Sequence, residues 1–147
     1  MAVYIADRQV AIEAYARAYE GLTPDTIDDL LTLTAPDIRF KDPFNDLRGQ
    51  DALRGLFRHM FQATRDPRFV VRHAVLSGDT GLLRWDFSAE MRGLGQWQVE
   101  GMSEIRFDAD NRIALHIDHW DAAEQFYEKL PVIGWLLRLI RRRMRVG

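Results

Sequence analysis

Hydrophobic residues recur mostly with a helical period in the first 64 residues of the chain, and with a period of two from residue 68 onward. Residues 3.6 positions apart share one face of a helix, whereas alternate residues share one face of a strand. The helical period predicts three helices, over residues 8–20, from Thr23, and from about residue 50 to residue 64. Their predicted inward residues are Ala11, Ala14, Tyr15, Ala18 and Tyr19, then Ile27, Leu30 and Leu31, then Leu53, Leu56, Phe57, Met60, Phe61 and Thr64.

The period of two predicts four longer strands joined by short turns. The rows that share a face are Phe69, Val71, His73 and Val75; Leu83, Trp85, Phe87, Ala89 and Met91; Trp97, Val99, Gly101, Ser103, Ile105 and Phe107; and Ala114, His116, Asp118 and Trp120. Gly101 inside a strand predicts a bulge or a sharp bend, as a strongly curved sheet requires. Asp121, followed three residues later by Glu124, is typical of a helix N-cap and predicts a helix to about Leu130.

A short predicted strand between the helices carries a carboxylate on its apolar face. Ile38, Phe40 and Asp42 fall on one side of it, and Pro43 ends it directly afterwards because proline donates no backbone hydrogen bond. An ionisable group at the edge of an apolar interior is a candidate for acid–base chemistry. The alternative for Asp42 is structural, since an aspartate before proline often caps the turn that follows.

The order of elements favours one α+β domain over residues 1–130, in which a curved antiparallel sheet wraps around the N-terminal helices. Residues 131–147 form an additional C-terminal helix. In this helix Ile133, Leu136, Leu137, Ile140 and Met144 fall on one side, and Arg138, Arg141, Arg142 and Arg145 on another. It is too short to span a bilayer. Three interpretations stay open: packing on the acidic body, contact with a dimer partner, or contact with an anionic membrane surface.

Charge is distributed unevenly along the chain. Before residue 131 there are 15 basic and 22 acidic residues, a net charge of −7, whereas the last 17 residues carry five arginines and no acid. An acidic body argues against nucleic-acid binding. The chain has no cysteine, which excludes disulfides, thiolate catalysis and Cys-ligated metal centres. The first residues lack a basic-then-apolar signal pattern, so we expect a cytoplasmic protein, with the tail as a contact to the inner membrane face if it binds lipid.

His116 and Asp118 are the second candidate for chemistry, because a spacing of two on a strand puts both side chains on one face. They could act as a general base with an orienting partner, or bind a metal with Asp42 as a third ligand. A polar network that satisfies its own buried groups is the third interpretation. The aromatic residues predict either a pocket for a flat hydrophobic molecule or a plain core.

The segment Phe40-Lys41-Asp42-Pro43-Phe44, followed by Gly49 and a helix, resembles the nuclear transport factor 2-like superfamily, as does Ile117-Asp118-His119-Trp120-Asp121. This cone-shaped α+β fold, also called a cystatin-like α+β roll, is shared by ketosteroid isomerases, SnoaL-like polyketide cyclases, limonene epoxide hydrolases and scytalone dehydratases. The resemblance implies that Asp42 is the general base of a ketosteroid isomerase-like site. It implies that Tyr15 or Tyr19 supplies the phenol donor, while Ser103 replaces the second acid of that site.

The same resemblance matches Asp118 to a catalytic aspartate of limonene epoxide hydrolases. The arginine and aspartate that complete their triad appear here as Gly101 and Ser103. The first hypothesis is therefore a cofactor-independent and metal-independent enzyme that moves protons on a small hydrophobic molecule. Its catalytic residues would be Asp42, Asp118, His116, Tyr15 and Tyr19, and its pocket would be lined by Phe40, Phe44, Phe57, Phe61, Trp85, Phe87, Trp97, Ser103 and Trp120.

The second hypothesis is a non-catalytic member of the same fold that binds a small molecule, a lipid or a partner protein. In both hypotheses we expect a homodimer formed through the outer face of the sheet.

Overall fold

Local capping signals set where several helices begin. The Asp7 side chain accepts a hydrogen bond from the Val10 amide at 2.7 Å, and the Asp121 side chain accepts one from the Glu124 amide at 3.1 Å. Gly49 has a φ of +94°, which suits glycine, and directly precedes the third helix. The predicted N-cap at Asp121 is thus confirmed.

The structure is a computed structural model and describes residues 7–147. The helices are α1 (Arg8–Glu20), α2 (Ile27–Leu31), α3 (Gln50–Ala63), α4 (Ala122–Gln125) and α5 (Ile133–Met144), with a 3₁₀ turn at Tyr127–Lys129. The strands are β1 (Thr34–Lys41), β2 (Asp46–Arg48), β3 (Thr64–Ser77), β4 (Thr80–Met91), β5 (Gly95–Phe107) and β6 (Ile113–His119). Among the boundaries that differ from the predictions, α2 begins at Ile27, β3 begins at Thr64 rather than near residue 68, and the helix after Asp121 ends at Gln125.

The six strands form one curved sheet in the order β2-β1-β6-β5-β4-β3. The predicted antiparallel meander is confirmed for β3 to β6, whereas β1 pairs with β6 in parallel. The short β2, which the sequence pattern did not predict, pairs with β1. The predicted α+β class is confirmed.

Two register shifts change which residues face inward. Between Val71 and His73 the pairing of β3 with β4 slips by one residue, so that His73 is exposed and Leu76 packs against the core. A second shift in β6 lets Ile113 and His116 both be buried, although they are three residues apart. The predicted row of β3 is therefore wrong beyond its shift, whereas in β6 the shift precedes His116, and His116, Asp118 and Trp120 line one cavity as their shared row predicts.

Gly101 does not mark a bulge, because the pairing of β4 with β5 runs through it without a register shift. The alternative, a sharp bend, stays a prediction. It faces Trp85 on the neighbouring strand, and a Cβ at this position would collide with the Trp85 ring. The glycine therefore makes room for the indole.

The core lies between one face of the sheet and the helices. The α1 helix packs on β3, and α3 packs on β1 and β3. The largest fully buried apolar side chains come from both layers, namely Ile12, Tyr15, Leu30, Ile38, Leu53, Ile105 and Ile113. The other face of the sheet is more open, with Val75 and Met102 about half exposed. The homodimer expected there stays a prediction.

The segment after β6 is tied to the sheet by Gln125. Its side-chain amide donates to the Glu100 carbonyl at 3.0 Å and accepts from the Glu100 amide at 2.6 Å, while its backbone carbonyl accepts from the Trp97 indole at 2.8 Å. The following helix, α5, packs on the 3₁₀ turn. Within residues 7–147 no helix has both the length and the apolar character needed to cross a lipid bilayer.

Candidate active site

A cavity of about 270 Å³ lies inside the curved sheet, bounded by α3 and the segment after β6. Its wall is mainly apolar and includes eight of the residues that the sequence predicted for a pocket: Phe40, Phe44, Phe57, Trp85, Phe87, Trp97, Ser103 and Trp120. The ninth, Phe61, packs against the core and is not part of the cavity wall. Asn45, Met60, Met91 and Phe126 also line the cavity and were not predicted.

Asp42 lies on the cavity wall directly after β1. Its Oδ1 atom accepts hydrogen bonds from the amides of Phe44 at 2.8 Å and Asn45 at 2.7 Å, and from the Asn45 side-chain amide at 3.1 Å. The position of Asp42 agrees with both the structural and the acid–base interpretation, since the residue caps the turn and also lines the cavity.

The pKa of Asp42 is raised from its usual value of 3.8. Burial is the main cause, because removing a carboxylate from water penalises the charged form more than the turn's hydrogen bonds favour it. The negative charge of Asp118 raises the pKa further. Two carboxylates thus share one apolar cavity, which is a feature of acid–base sites.

Asp118 is held by side chains rather than by backbone amides. Its Oδ1 atom accepts from the Ser103 hydroxyl at 2.5 Å and from His116 Nε2 at 2.7 Å. The β5–β6 pairing sets this arrangement, because Ser103 lies directly opposite Asp118 in the ladder. Since a carboxylate can only accept, Nε2 carries the proton and Nδ1 of a neutral His116 must accept.

Two tyrosines of α1 complete the network from the other side of His116. The Tyr15 hydroxyl is hydrogen-bonded to His116 Nδ1 at 2.8 Å and is the donor to a neutral His116, and the Tyr19 hydroxyl lies 3.3 Å from that of Tyr15. Burial raises the pKa of both tyrosines well above their usual value, so both stay protonated and act as donors. Tyr19 lines the cavity, and Tyr15 lies behind it, fully buried.

The Trp85 indole extends the network at its other end by donating to the Ser103 hydroxyl at 2.8 Å. Donors therefore point from both directions toward Asp118 Oδ1, by way of His116 and by way of Ser103. In the described part of the chain no fully buried side-chain polar atom lacks a partner. The buried polar groups of this network therefore satisfy one another, as the polar-network interpretation expects. Asp118 still lies on the cavity wall, with Oδ2 outside the network.

An aromatic cluster closes the end of the cavity near Asp42. The Phe44 ring contacts the rings of Trp120 and Phe126 at centroid distances of 5.4 and 5.1 Å, and the Trp97 ring contacts the same two at 6.0 and 5.6 Å. Phe126 lies just after α4, where no hydrophobic period indicates its direction. It was therefore not predicted.

The metal interpretation lacks a ligand set. Among residues 7–147 no group of three His, Cys, Asp or Glu side chains is arranged to hold a metal ion. His119, whose side chain is exposed, lies on the opposite face of β6 from Asp118.

Comparison with known proteins defines the class. The family model of the SnoaL-like domain matches residues 15–116, and the chain belongs to this family, within the nuclear transport factor 2-like superfamily. The resemblance stated from the sequence is confirmed. No curated protein matches the chain.

Solved structures with the same fold share low sequence identity with this chain. One is an NTF2-like protein of unknown function from Exiguobacterium sp. 255-15, with 23% identity, a TM-score of 0.67, and coverage of 76% of this chain and 98% of that one. A second is a protein with a ketosteroid isomerase-like fold from Catenulispora acidiphila DSM 44928 in complex with trimethylamine, with 18% identity, a TM-score of 0.67, and coverage of 78% and 88%. A third is an LEH-like epoxide hydrolase from M. tuberculosis, with 20% identity, a TM-score of 0.63, and coverage of 89% and 93%. At these identities the likeness shows the fold alone.

Proposed function

We propose that this protein is a cofactor-independent acid–base enzyme that acts on a small hydrophobic molecule held in the cavity. The reaction classes that fit are isomerisation, dehydration, cyclisation and epoxide opening. The observation that carries the proposal is the pair of carboxylates, Asp42 and Asp118, on the wall of a cavity that is otherwise mainly apolar. An apolar interior keeps a carboxylate only where other interactions or a function offset the cost of its burial.

Asp42 is the proposed general base. Its raised pKa makes it a stronger base than a solvated aspartate, since basicity rises with pKa. Its Oδ1 atom is occupied by the turn, whereas Oδ2 has one weak contact, at 3.3 Å from the Asn45 side-chain amide. Oδ2 is therefore the atom that would accept a proton from the substrate.

Asp118 is the proposed second acid–base group, and His116 and Ser103 are its positioning residues. Both of them contact Oδ1, which fixes the plane of the carboxylate and leaves Oδ2 for the substrate. Tyr19, protonated and on the cavity wall, is the proposed donor to a substrate oxygen, toward which its hydroxyl would rotate from the 3.3 Å contact with Tyr15.

Among the reaction classes, epoxide opening of the limonene epoxide hydrolase type has the weakest support. One structural neighbour is described as an LEH-like epoxide hydrolase, but the residues that would complete the triad are Gly101 and Ser103 here. The space beside Gly101 is filled by the Trp85 ring, which leaves no room for an arginine. Proton transfer next to a carbonyl fits the available groups better.

Hydrogen–deuterium exchange at the α-carbon of a hydrophobic cyclic ketone tests the proposal without knowledge of the natural substrate. We expect the protein to accelerate exchange in D₂O, followed by NMR, and we expect Asp42→Asn to lower the rate by roughly 10²- to 10⁴-fold. Asp46→Asn is the matched control, because Asp46 lies nearby but forms a surface ion pair with Arg39. Equal rates in the wild-type protein and Asp42→Asn would reject Asp42 as the base.

Non-catalytic binding of a hydrophobic amine is the second candidate function. Tryptophan and phenylalanine rings and two carboxylates line the cavity, and within the described residues no lysine or arginine does. Rings and carboxylates together attract a cationic group. The neighbour crystallised with trimethylamine has a related fold. This candidate predicts calorimetric binding of a tertiary amine, weakened by Asp42→Asn and by Asp118→Asn, in a protein that does not accelerate exchange.

A further inference from the structure

We infer that α5 is a membrane-surface helix whose outward face enters the headgroup region of a bilayer that contains anionic phospholipids. This inference concerns a surface outside the cavity and is independent of the chemistry there. It rests on three features of α5: an exposed apolar face, an opposite face already used for packing, and a local excess of unpaired arginines.

The apolar face of α5 is turned toward solvent. Trp135 is 63% exposed, Ile140 is 54% exposed and Leu136 is 50% exposed. These residues share the outward side of the helix with others whose exposed fractions range from 40% to 81%, namely Val132, Ile133, Leu139 and Met144. Exposed apolar side chains clustered on one element are typical of a binding surface.

The opposite face of α5 is already committed to the protein body. Gly134 is buried so closely against the Glu128 carbonyl that a Cβ there would overlap it, and Arg138 donates to the same carbonyl. Arg141 pairs with Glu124 at 2.9 Å and with Glu128 at 3.1 Å. Rotating the helix to bury its apolar face would break these contacts. Of the three interpretations left open by the sequence, packing of the apolar side on the body does not agree with these contacts.

Charge favours an anionic lipid as the occupant. In the described residues Arg142, Arg143 and Arg145 form no ion pair, and residues 131–147 contain no acid. The rest of the chain carries a net charge of −7, so the positive segment orients the protein on a negative surface. A bilayer offers apolar chains and phosphate groups a few ångströms apart, and long arginine side chains can span that separation.

The geometry fits a helix that lies in the plane of the membrane. The 12 residues of α5 extend about 18 Å, which is shorter than the roughly 30 Å hydrocarbon core. A short helix with an apolar face, a tryptophan and flanking arginines binds at the interface. The helix also lies near the aromatic end of the cavity in the sequence. Phe126 lines the cavity and its ring contacts the ring of Tyr127. Tyr127 belongs to the 3₁₀ turn on which α5 packs.

Flotation of the full-length protein with vesicles tests the inference. We expect it to float with vesicles of equal parts phosphatidylcholine and phosphatidylglycerol, and to stay at the bottom of the gradient with phosphatidylcholine alone. Failure to float with the anionic vesicles overturns the inference.

A variant that replaces two apolar side chains of α5 tests whether its exposed face binds the membrane. Leu136→Ser with Ile140→Ser should abolish flotation, whereas Val75→Ser with Met102→Ser, which removes two similarly exposed residues from the sheet, should not. Unchanged flotation of the first variant overturns the assignment of the face. A different result would assign the face to a second copy of the chain. In that case the wild-type protein would not float, would sediment as a dimer, and would be dissociated by Leu136→Ser with Ile140→Ser.

A variant that removes two arginine charges of α5 tests whether these arginines bind the anionic lipid. Arg142→Gln with Arg143→Gln should weaken binding to anionic vesicles by roughly 25-fold, at about fivefold per arginine. Arg58→Gln with Arg68→Gln, two exposed arginines of the body, changes net charge by the same amount and should leave binding nearly unchanged. Equal weakening by both variants would mean that total charge, and not α5, controls the contact.

Discussion

Asp42 and Asp118 lie on the wall of the same cavity but are held in different ways. The donors to Asp42 come from Phe44 and Asn45, within three residues of it. The donors to Asp118 are Ser103 on the neighbouring strand and His116, which is itself bound by Tyr15, 101 residues earlier in the sequence. One carboxylate is fixed by a turn and the other by the tertiary fold.

This difference should appear in the energetics of the two positions. Water can reach the half-buried turn and replace part of what Asp42 contributes. The partners of Asp118 are buried, since Ser103 is 1% exposed and His116 is 2% exposed, so their lost hydrogen bonds are replaced less readily. The same cavity wall therefore combines a carboxylate of low structural importance with one that supports the fold.

The largest effect is expected from Asp118→Ala. This change removes the acceptor of both His116 and Ser103, and we expect a loss of about 2–3 kcal/mol in the free energy of unfolding, measured with urea. Asp118→Asn is the control, because its amide oxygen can still accept, and it should cost less. Equal stability of Asp118→Ala and the wild-type protein would show that the network does not support the fold.

A smaller effect is expected at the α1 end of the network. Tyr15→Phe leaves His116 Nδ1 without its 2.8 Å donor and should cost about 1–2 kcal/mol. Tyr19→Phe should cost less, because the Tyr19 hydroxyl makes longer contacts, at 3.3 and 3.5 Å. Thermal unfolding of the two variants side by side checks the order, and the reverse order would contradict the assignment of Tyr15 as the main partner of His116.

The smallest effect is expected from Asp42→Asn, which keeps an acceptor for the turn. Because burial raises the pKa of Asp42, the folded state holds its proton more tightly than the unfolded state. The stability that this proton gives is present below pH 3.8 and is lost as the pH rises through the raised value. The melting temperature of the wild-type protein should therefore fall relative to that of Asp42→Asn over this range and then stay parallel to it.

A difference in melting temperature that does not change with pH would show that the carboxyl titrates equally in both states. The comparison with Asp42→Ala separates the two contributions of the residue. That variant loses the turn acceptor as well as the charge, and it should cost about 1 kcal/mol relative to Asp42→Asn at every pH.

The sequence predicted well those features that depend on near neighbours. The α3 helix, the meander of β3 to β6 and the cap at Asp121 follow from spacing or from turn chemistry, and the structure confirms them. The turn at Asp42 belongs to this group, because Asp-Pro followed by Asn is a local signal. Local signals were also sufficient to show the family resemblance.

The pattern of hydrophobic and polar residues did not predict features that depend on tertiary contacts. Alternation cannot reveal a register shift, so His73 was placed on one face with Phe69 and Val71, although it is exposed while they pack against the core. Gly101 was interpreted as a bulge or a bend, and its contact with Trp85 was missed because that residue belongs to another strand. The hydrogen-bonded series from Tyr15 to Asp118 joins residues about a hundred positions apart. Periodicity gives no sign of such a contact, and only the family resemblance assigned Tyr15, His116 and Asp118 to one site.

The Gln125 amide described above covers an otherwise open part of the sheet edge. The pairing of β5 with β6 begins only at Met102, so the stretch of β5 before it has no neighbouring strand on that side. At Glu100 the glutamine side chain donates and accepts as a peptide group would, and it takes the place of a continuation of β6. Self-association through strand addition, a route by which exposed edges lead to aggregation, is thereby blocked at this position by a single side chain.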